Sequence, residues 1–311
     1  MADVWIMGEM IVEIMRTAED VPLDREGVFR GPFPSGAPAI FIDTVARMGH
    51  RAGIIGGVGE DDFGKCLLRR LEKDGVDCSH VDVSEACATG VAFVTYFFDG
   101  SRKFIYHMGN TPAVEAKAPD ISALEGVKYF HIMGCSLMAN SEFAKEIVKT
   151  MKMAKRLKAK ISFDPNIRKE LFADESINHV ISEVMENTNI FLPGVEELRD
   201  ITKKDSVEEA VEKSFENPEL EIIVLKNGSK GSCIYTREQA FEVGAFSADQ
   251  VDATGAGDCF DGAFISGLLD GKDPEDAAKM GAAAGALNVQ AFGPMEGEIN
   301  PENIRKLIKR D

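Results

Sequence analysis

Short runs of β-branched and aromatic residues alternate along this chain with stretches whose apolar positions recur every three or four residues. The runs Val4–Met7, Arg51–Ile55, Val127–Met133, Lys160–Phe163, Asn189–Leu192 and Glu221–Lys226 predict strands. Helices are predicted between them. Beyond a capping Ser141, Phe143, Ile147, Met151 and Ala154 share one face. Lys155, Arg156 and Lys158 collect at the far end, where the helix dipole favours cations. Ser206-Val207-Glu208-Glu209 reads as a capping box, and Asp273-Pro274 and Asn300-Pro301 each set a capping side chain before a first-turn proline. Such alternation builds an α/β fold, a mostly parallel sheet covered by helices on both faces.

Two stretches break the rhythm. From Glu9 to Pro34, a strand-like Ile11–Met15 runs into a Gly/Pro-rich loop, Arg30-Gly31-Pro32-Phe33-Pro34. From Thr89 to His107, two apolar runs flank Asp99-Gly100, a strong hairpin signal. Together they predict a small antiparallel sheet outside the main one, either a lid over a site or an ordinary edge hairpin.

Composition then narrows the function. With 44% hydrophobic and 28% charged residues, the chain is globular rather than disordered. Lys and Arg number 35 against 52 Asp and Glu, a net charge of −17 that argues against nucleic acid or anionic membrane as partner. Local backbone amides can still hold a small phosphate against that field. No run nears the ~20 apolar residues of a membrane helix. Acids in the opening residues, Asp3 and Glu9, argue against a signal peptide and for a cytoplasmic protein. The six cysteines lack metal or redox spacing and are expected as free thiols.

The sharpest local signal is Val251-Asp252-Ala253-Thr254-Gly255-Ala256-Gly257-Asp258, ahead of a helical pattern from Cys259 to Leu269. Small residues let the amides of Gly255, Ala256 and Gly257 converge at a helix start, where unsatisfied N–H groups and the dipole bind anions. Asp258 there is suited to taking a proton from an attacking hydroxyl. The plainer reading is a first-turn acid after a glycine-rich turn. Gly59–Cys66 matches Gly-x4-Gly-Lys, but Cys66 stands where a P-loop needs Ser or Thr and three acids sit inside, so that reading fails. Asp164-Pro165-Asn166-Ile167-Arg168 follows a strand end, where open α/β sheets bind ligands; a capped polar turn is the alternative. Lys226-Asn227-Gly228-Ser229-Lys230-Gly231 ends another strand, fit for nucleotide or a mere loop, and His131 reads as core.

Five ordered motifs, Ser35–Ala39, Gly56–Gly64, Asp164–Arg168, Leu192–Leu198 and Asp252–Asp258, resemble the ribokinase-like (PfkB) carbohydrate kinase family from Gly8 to about Gly293. The resemblance implies a single kinase domain over residues 1–311, a Rossmann-like sheet with a small β-sheet lid at about 9–34 and 89–113. It implies phosphorylation of a primary hydroxyl of a sugar or nucleoside by ATP with Mg2+. Asp258 would be the base, and the amides of Gly255, Ala256 and Gly257 the anion hole. Glu197 would reach Mg2+ through water, since Gly194 replaces the asparagine of the family's Asn-x-x-Glu. Lys226, Asn227, Gly228 and Gly231 would face nucleotide and Asn288 its adenine end. Asp252 and Thr254 would hold a monovalent cation, K+. Glu13, Ser35, Gly36, Ala37, Arg102, Tyr106, Asp164, Asn166 and Arg168 would bind the sugar, with Glu13 in place of a common aspartate and Ser35 of a common glycine. A homodimer through the lid is expected from family precedent and from the Val91–Phe98 edge.

Gly31–Phe41 and Gly293–Gly297 look like the branch of fructokinases, tagatose kinases and 2-keto-3-deoxygluconate kinases. The lid carries Tyr106-His107-Met108 where keto-deoxygluconate kinases often have Tyr-x-Arg, which favours a neutral ketohexose such as fructose or tagatose. Arg102 and Arg168 keep the keto-acid open as carboxylate partners. A non-catalytic sugar- or nucleotide-binding regulator is the reading from another class, and the retained Asp258 argues against it.

Overall fold

The computed structural model describes residues 2–167 and 177–310. The strands in chain order are β1 (Val4–Met7), β2 (Ile11–Arg16), β3 (Phe29–Ser35), β4 (Ala52–Gly59), β5 (Val76–Ser84), β6 (Gly90–Tyr96), β7 (Arg102–His107), β8 (Tyr129–Met133), β9 (Lys160–Asp164), β10 (Ile190–Phe191), β11 (Ile222–Lys226), β12 (Ser232–Thr236) and β13 (Ala240–Val243). Nine form the main sheet, in the order β13-β12-β11-β10-β9-β8-β1-β4-β5. Neighbours from β11 through β5 run parallel, and β12 and β13 turn back antiparallel at the edge. β1 lies inside the sheet with all four residues buried, as a strand covered on both faces requires. Its Trp5 ring fills the space over Gly53, where a Cβ would sit 2.6 Å from the indole.

Arg51–Ile55 predicted only half of its strand, because β4 continues through Gly59. Those glycines are packing surfaces: a Cβ on Gly57 would meet the Pro112 carbonyl at 2.4 Å. Asp61 caps the helix that follows, α2, by accepting the Gly64 amide at 2.8 Å. The segment is thus structural, in line with the rejected P-loop.

The helices are α1 (Ala37–Arg47), α2 (Asp62–Asp74), α3 (Gly134–Ala139), α4 (Ser141–Arg156), α5 (Ile177–Glu186), α6 (Val195–Thr202), α7 (Val207–Ser214), α8 (Ala256–Leu269), α9 (Pro274–Asn288) and α10 (Pro301–Ile308). Asp273 and Asn300 cap as read, and Ser206 caps by accepting the Glu209 amide. Ser141 does not: Asn140 accepts the Glu142 and Phe143 amides, and Ser141 is the first helical residue. α8 begins three residues before Cys259 and is buried from Asp258 through Gly267. Glycines let it lie close to its neighbours, Gly262 on Thr44 of α1 and Gly267 on Ala277 of α9. No helix among the described residues is long and apolar enough to cross a membrane.

The second sheet has the order β3-β2-β6-β7. Its β2–β3 and β6–β7 pairs are antiparallel and β2–β6 is parallel, a correction to the all-antiparallel expectation. The Arg30–Pro34 stretch expected as a loop is edge strand β3, where prolines need donate no ladder bond. Its residues span Ile11–Ser35 and Gly90–His107, and beyond Met108 the chain returns to the body, where Pro112–Val114 packs on β4. Met15, Val94 and Phe104 form a small core beneath this sheet, joined by Phe33, Tyr96, Tyr106 and, from the body, Phe292.

Candidate active site

Parallel strands end on one edge of a sheet, and here five of those ends meet at one cavity. Glu9 follows β1, Cys135 follows β8, Asp164 and Asn166 close β9, Glu197 follows β10 and Lys226 ends β11. With the first turn of α8 they line about 340 Å3, roofed by Glu13, Arg102 and Tyr106 of the second sheet. That sheet is a lid. Tyr106 stacks on Phe104 with ring centroids 5.5 Å apart, presenting an aromatic wall.

The start of α8 is capped by Gly255 at φ 80°, which has no side chain to accept a first-turn amide. A Cβ there would also meet the Pro294 carbonyl at 2.5 Å, so only glycine fits. The Ala256 amide makes one long bond, 3.4 Å, to the Ala253 carbonyl. Asp258 is buried in the same turn, its Oδ1 accepting the Asn166 side-chain amide at 2.9 Å. A second groove of about 510 Å3, walled by Phe246, Phe260, Ala282 and Val289, lies beyond, with Gly228 and Gly231 at its rim. Both cavities share Ala256 and Gly257, which makes this helix start the partition between them. An anionic chain in one groove and a hydroxyl in the other would meet at Asp258.

Lys226, expected to face nucleotide, lines both cavities and also carries a charge burden. Its ammonium donates to Asp164 at 2.9 Å and to both oxygens of Asp261, at 3.1 and 2.9 Å. The two acids hold the Lys226 pKa above its ordinary value despite burial. One ammonium serves two carboxylates: burial pushes Asp261 well up, while the Lys226 charge draws Asp164 down. Asp261 escaped the sequence reading, although its position three after Asp258 puts both on one face of α8. Glu197 Oε1 and Oε2 accept the Ile167 and Gly194 amides, each at 2.7 Å, so this acid first of all caps α6. Burial raises its pKa.

Gly36, Ala37, Asp164 and Asn166, expected to bind sugar, line the cavity. Asp164 Oδ1 also accepts the Asn166 amide at 3.0 Å, the turn cap weighed as its alternative. Ser35 does not reach the cavity: it is fully buried, and its hydroxyl donates to Glu13 Oε1 at 2.6 Å. Asn227 faces a mouth shared with Gly194 and Glu197. Asn288 is a correction. It is fully buried and turns from the apolar groove, donating to the Thr254 carbonyl at 2.7 Å. The groove takes its neighbours Ala286 and Val289 instead. Arg168 lies outside the described residues. Glu9, noticed only as an acid breaking an apolar run, accepts from Ser136 and Cys135. His131 is core, its Nδ1 2.7 Å from Ser162 Oγ and its ring stacked on Phe41.

Comparison with known proteins places the chain in a family. Residues 1–301 match the pfkB family carbohydrate kinase pattern. The chain is similar to a solved E. coli protein called a "putative Ribokinase II" in its apo form, at 38% identity and a TM-score of 0.95, with 100% of each chain covered. The same E. coli protein solved with ATP and Mg2+ superposes at a TM-score of 0.94 and 37% identity, again over 100% of each chain. Fructokinase-1 of Oryza sativa subsp. japonica is 30% identical over 312 residues, covering 97% of this chain and 96% of its own. The family match over nearly the whole chain and relatives of this similarity show that the chain belongs to the pfkB family of carbohydrate kinases, phosphotransferases with an alcohol group as acceptor.

Proposed function

We propose that this kinase moves the γ-phosphoryl of ATP onto a primary hydroxyl of a neutral ketohexose, fructose first, with Asp258 as base. The observation that carries the reading is Asp258, buried in the partition between the two cavities and oriented by Asn166. The sugar hydroxyl gives its proton to Asp258 as its oxygen bonds to the γ-phosphorus. The bond to the bridging oxygen breaks, and ADP leaves. Amides at Gly255, Ala256 and Gly257, with the helix dipole behind them, stabilise charge on the transferring group. The E. coli relative with ATP and Mg2+ supports the donor, and the rice fructokinase supports the acceptor.

Mg2+ prefers oxygen ligands and keeps its waters. Glu197 suits it, because each carboxylate oxygen spends one lone pair on a backbone amide and retains another for water. When bound, Mg2+ neutralises phosphate charge. A monovalent cation, K+, suits the loop before α8. Asp252 is buried there, and the buried Asn288 Oδ1 has no hydrogen-bond partner among the described residues. The apolar groove suits adenine. Glu13, Gly36, Ala37, Tyr106 and Asn166 are the sugar contacts, with Ser35 acting through Glu13. Lys226 holds β9, β11 and α8 together from a position that lines both cavities, beside the proposed phosphate path.

An ADP-release assay with Mg·ATP tests this across fructose, tagatose, 2-keto-3-deoxygluconate, ribose and adenosine. Fructose should lead. A lead for the keto-acid would shift carboxylate recognition to Arg102, and silence on all five would overturn the reading. We also read residues 1–311 as one domain that pairs as a homodimer through the outer lid face. β6 lies inside the lid sheet rather than at its edge, so the support for that pairing is instead the exposed Val28 and Ile105 beside Phe29 and Phe93. Sedimentation showing a monomer at micromolar concentration would refute it. Free cysteines support a reducing, cytoplasmic setting.

A further inference from the structure

Tyr96 ends β6, Arg102 opens β7, and the hairpin register sets them opposite each other. Both reach from the lid to one side chain of the body. The Arg102 guanidinium donates to Thr254 Oγ1 at 3.0 Å. The Tyr96 hydroxyl lies 3.3 Å from the same oxygen and donates to Asp252 Oδ1 at 3.2 Å. One proton order satisfies every member. Arg102 donates to Thr254, Thr254 to Tyr96 and Tyr96 to Asp252, so each hydroxyl gives once and accepts once between a cation and an anion.

The main chain of Thr254 is held from the other side. Its amide donates to Asp252 Oδ1 at 2.9 Å, and its carbonyl accepts from Asn288 at 2.7 Å. The next residue is Gly255, the cap of α8. Among the described residues Tyr96 is not part of the cavity lining, and its ring leans on Phe292, centroids 6.5 Å apart. It can therefore act on the reaction only through what it holds.

We propose that Tyr96 and Arg102 are positioning residues that latch the closed lid to Thr254 and so fix the amide cradle at the start of α8. The inference rests on reading that cradle as the phosphate site. A sugar under the lid is then sensed where phosphate must be held, because the same hairpin covers the one and steadies the other.

Steady-state kinetics of Tyr96→Phe, Thr254→Val and the double variant test the latch at saturating Mg·ATP. Tyr96→Phe should lower kcat about three- to tenfold, the worth of one or two hydrogen bonds, and move the sugar KM less than twofold. Thr254→Ser should restore what Thr254→Val loses. In the double variant the losses should fall short of their product, since both act through one chain. Amide exchange over residues 254–258 should quicken in Tyr96→Phe. Losses that multiply, or parental kcat in Tyr96→Phe, overturn the latch. Gly255→Ala separates the two readings: parental kcat there sinks the phosphate site itself. A kcat loss in Gly255→Ala beside multiplying losses sinks the latch alone.

Discussion

Asn166 donates its side-chain amide to Asp258 at 2.9 Å and so ties the loop after β9 to the first turn of α8. Asn166 holds a left-handed backbone, φ 38°, to make that reach. A neutral donor orients the carboxylate without cancelling its charge, which a base requires.

Asp258→Asn keeps the shape and removes the proton acceptor. Turnover should fall by about 10²- to 10⁴-fold, the usual worth of a positioned base. Calorimetry should find sugar and nucleotide affinities within a few-fold of the parent.

Lys226 sits between two buried carboxylates, and its loss leaves both without a cation. Lys226→Met should cost about 3–5 kcal/mol in urea unfolding. Asp261→Asn should cost far less, because burial and Asp164 already favour the protonated, neutral side chain that an amide imitates. Equal losses in the two variants would contradict this division of charge.

Gly255→Ala combines a left-handed cap with a clash against the Pro294 carbonyl. Strain of about 1–3 kcal/mol and at least a tenfold loss of kcat should follow. Gly49→Ala is the control. Its φ is 94°, but nothing lies within 4 Å, so it should cost about 1 kcal/mol and leave kcat unchanged.

Two buried groups bend stability with pH in opposite senses. Burial pushes the Asp43 carboxyl up to about 7 from 3.8 and the His131 imidazole down to about 3 from 6.5. Between pH 4 and 7 the folded chain keeps the Asp43 proton that the unfolded chain releases, so this group lowers stability as pH rises. Below pH 6.5 the unfolded chain gains a proton on His131 that the folded chain refuses, so that group lowers stability as pH falls. Relative to the parent, Asp43→Asn should gain as pH climbs from 4 to 7. His131→Asn should gain as pH drops from 6.5 toward 3. Urea midpoints at four pH values would read both slopes, and parallel slopes would refute the assignment.

Much of the scaffold could be read directly from the chain. The strand runs and the caps at Ser206, Asp273 and Asn300 depend on neighbours a few residues away, so spacing alone reveals them. Reading faltered where a distant partner decides. β4 keeps its glycines because Trp5, Pro112 and Cys87 press on them, and β3 tolerates its prolines because it is an edge.

The same division holds at the site. Residues 252–258 announce a glycine-capped helix start with an acid in its first turn by themselves, since small residues, a cap and a first-turn acid are local chemistry. Which side chains meet there was settled only by the packed sheet. Asn166 and Asp258 are 92 positions apart, and Tyr96 and Thr254 are 158 apart. Asn288 faces the Thr254 loop rather than the apolar groove because α9 presents its neighbours there. Local pattern determines what each segment becomes. Strand order, register and burial decide whom each side chain can reach, because a hydrogen bond needs a partner within about 3 Å and only the fold brings one there.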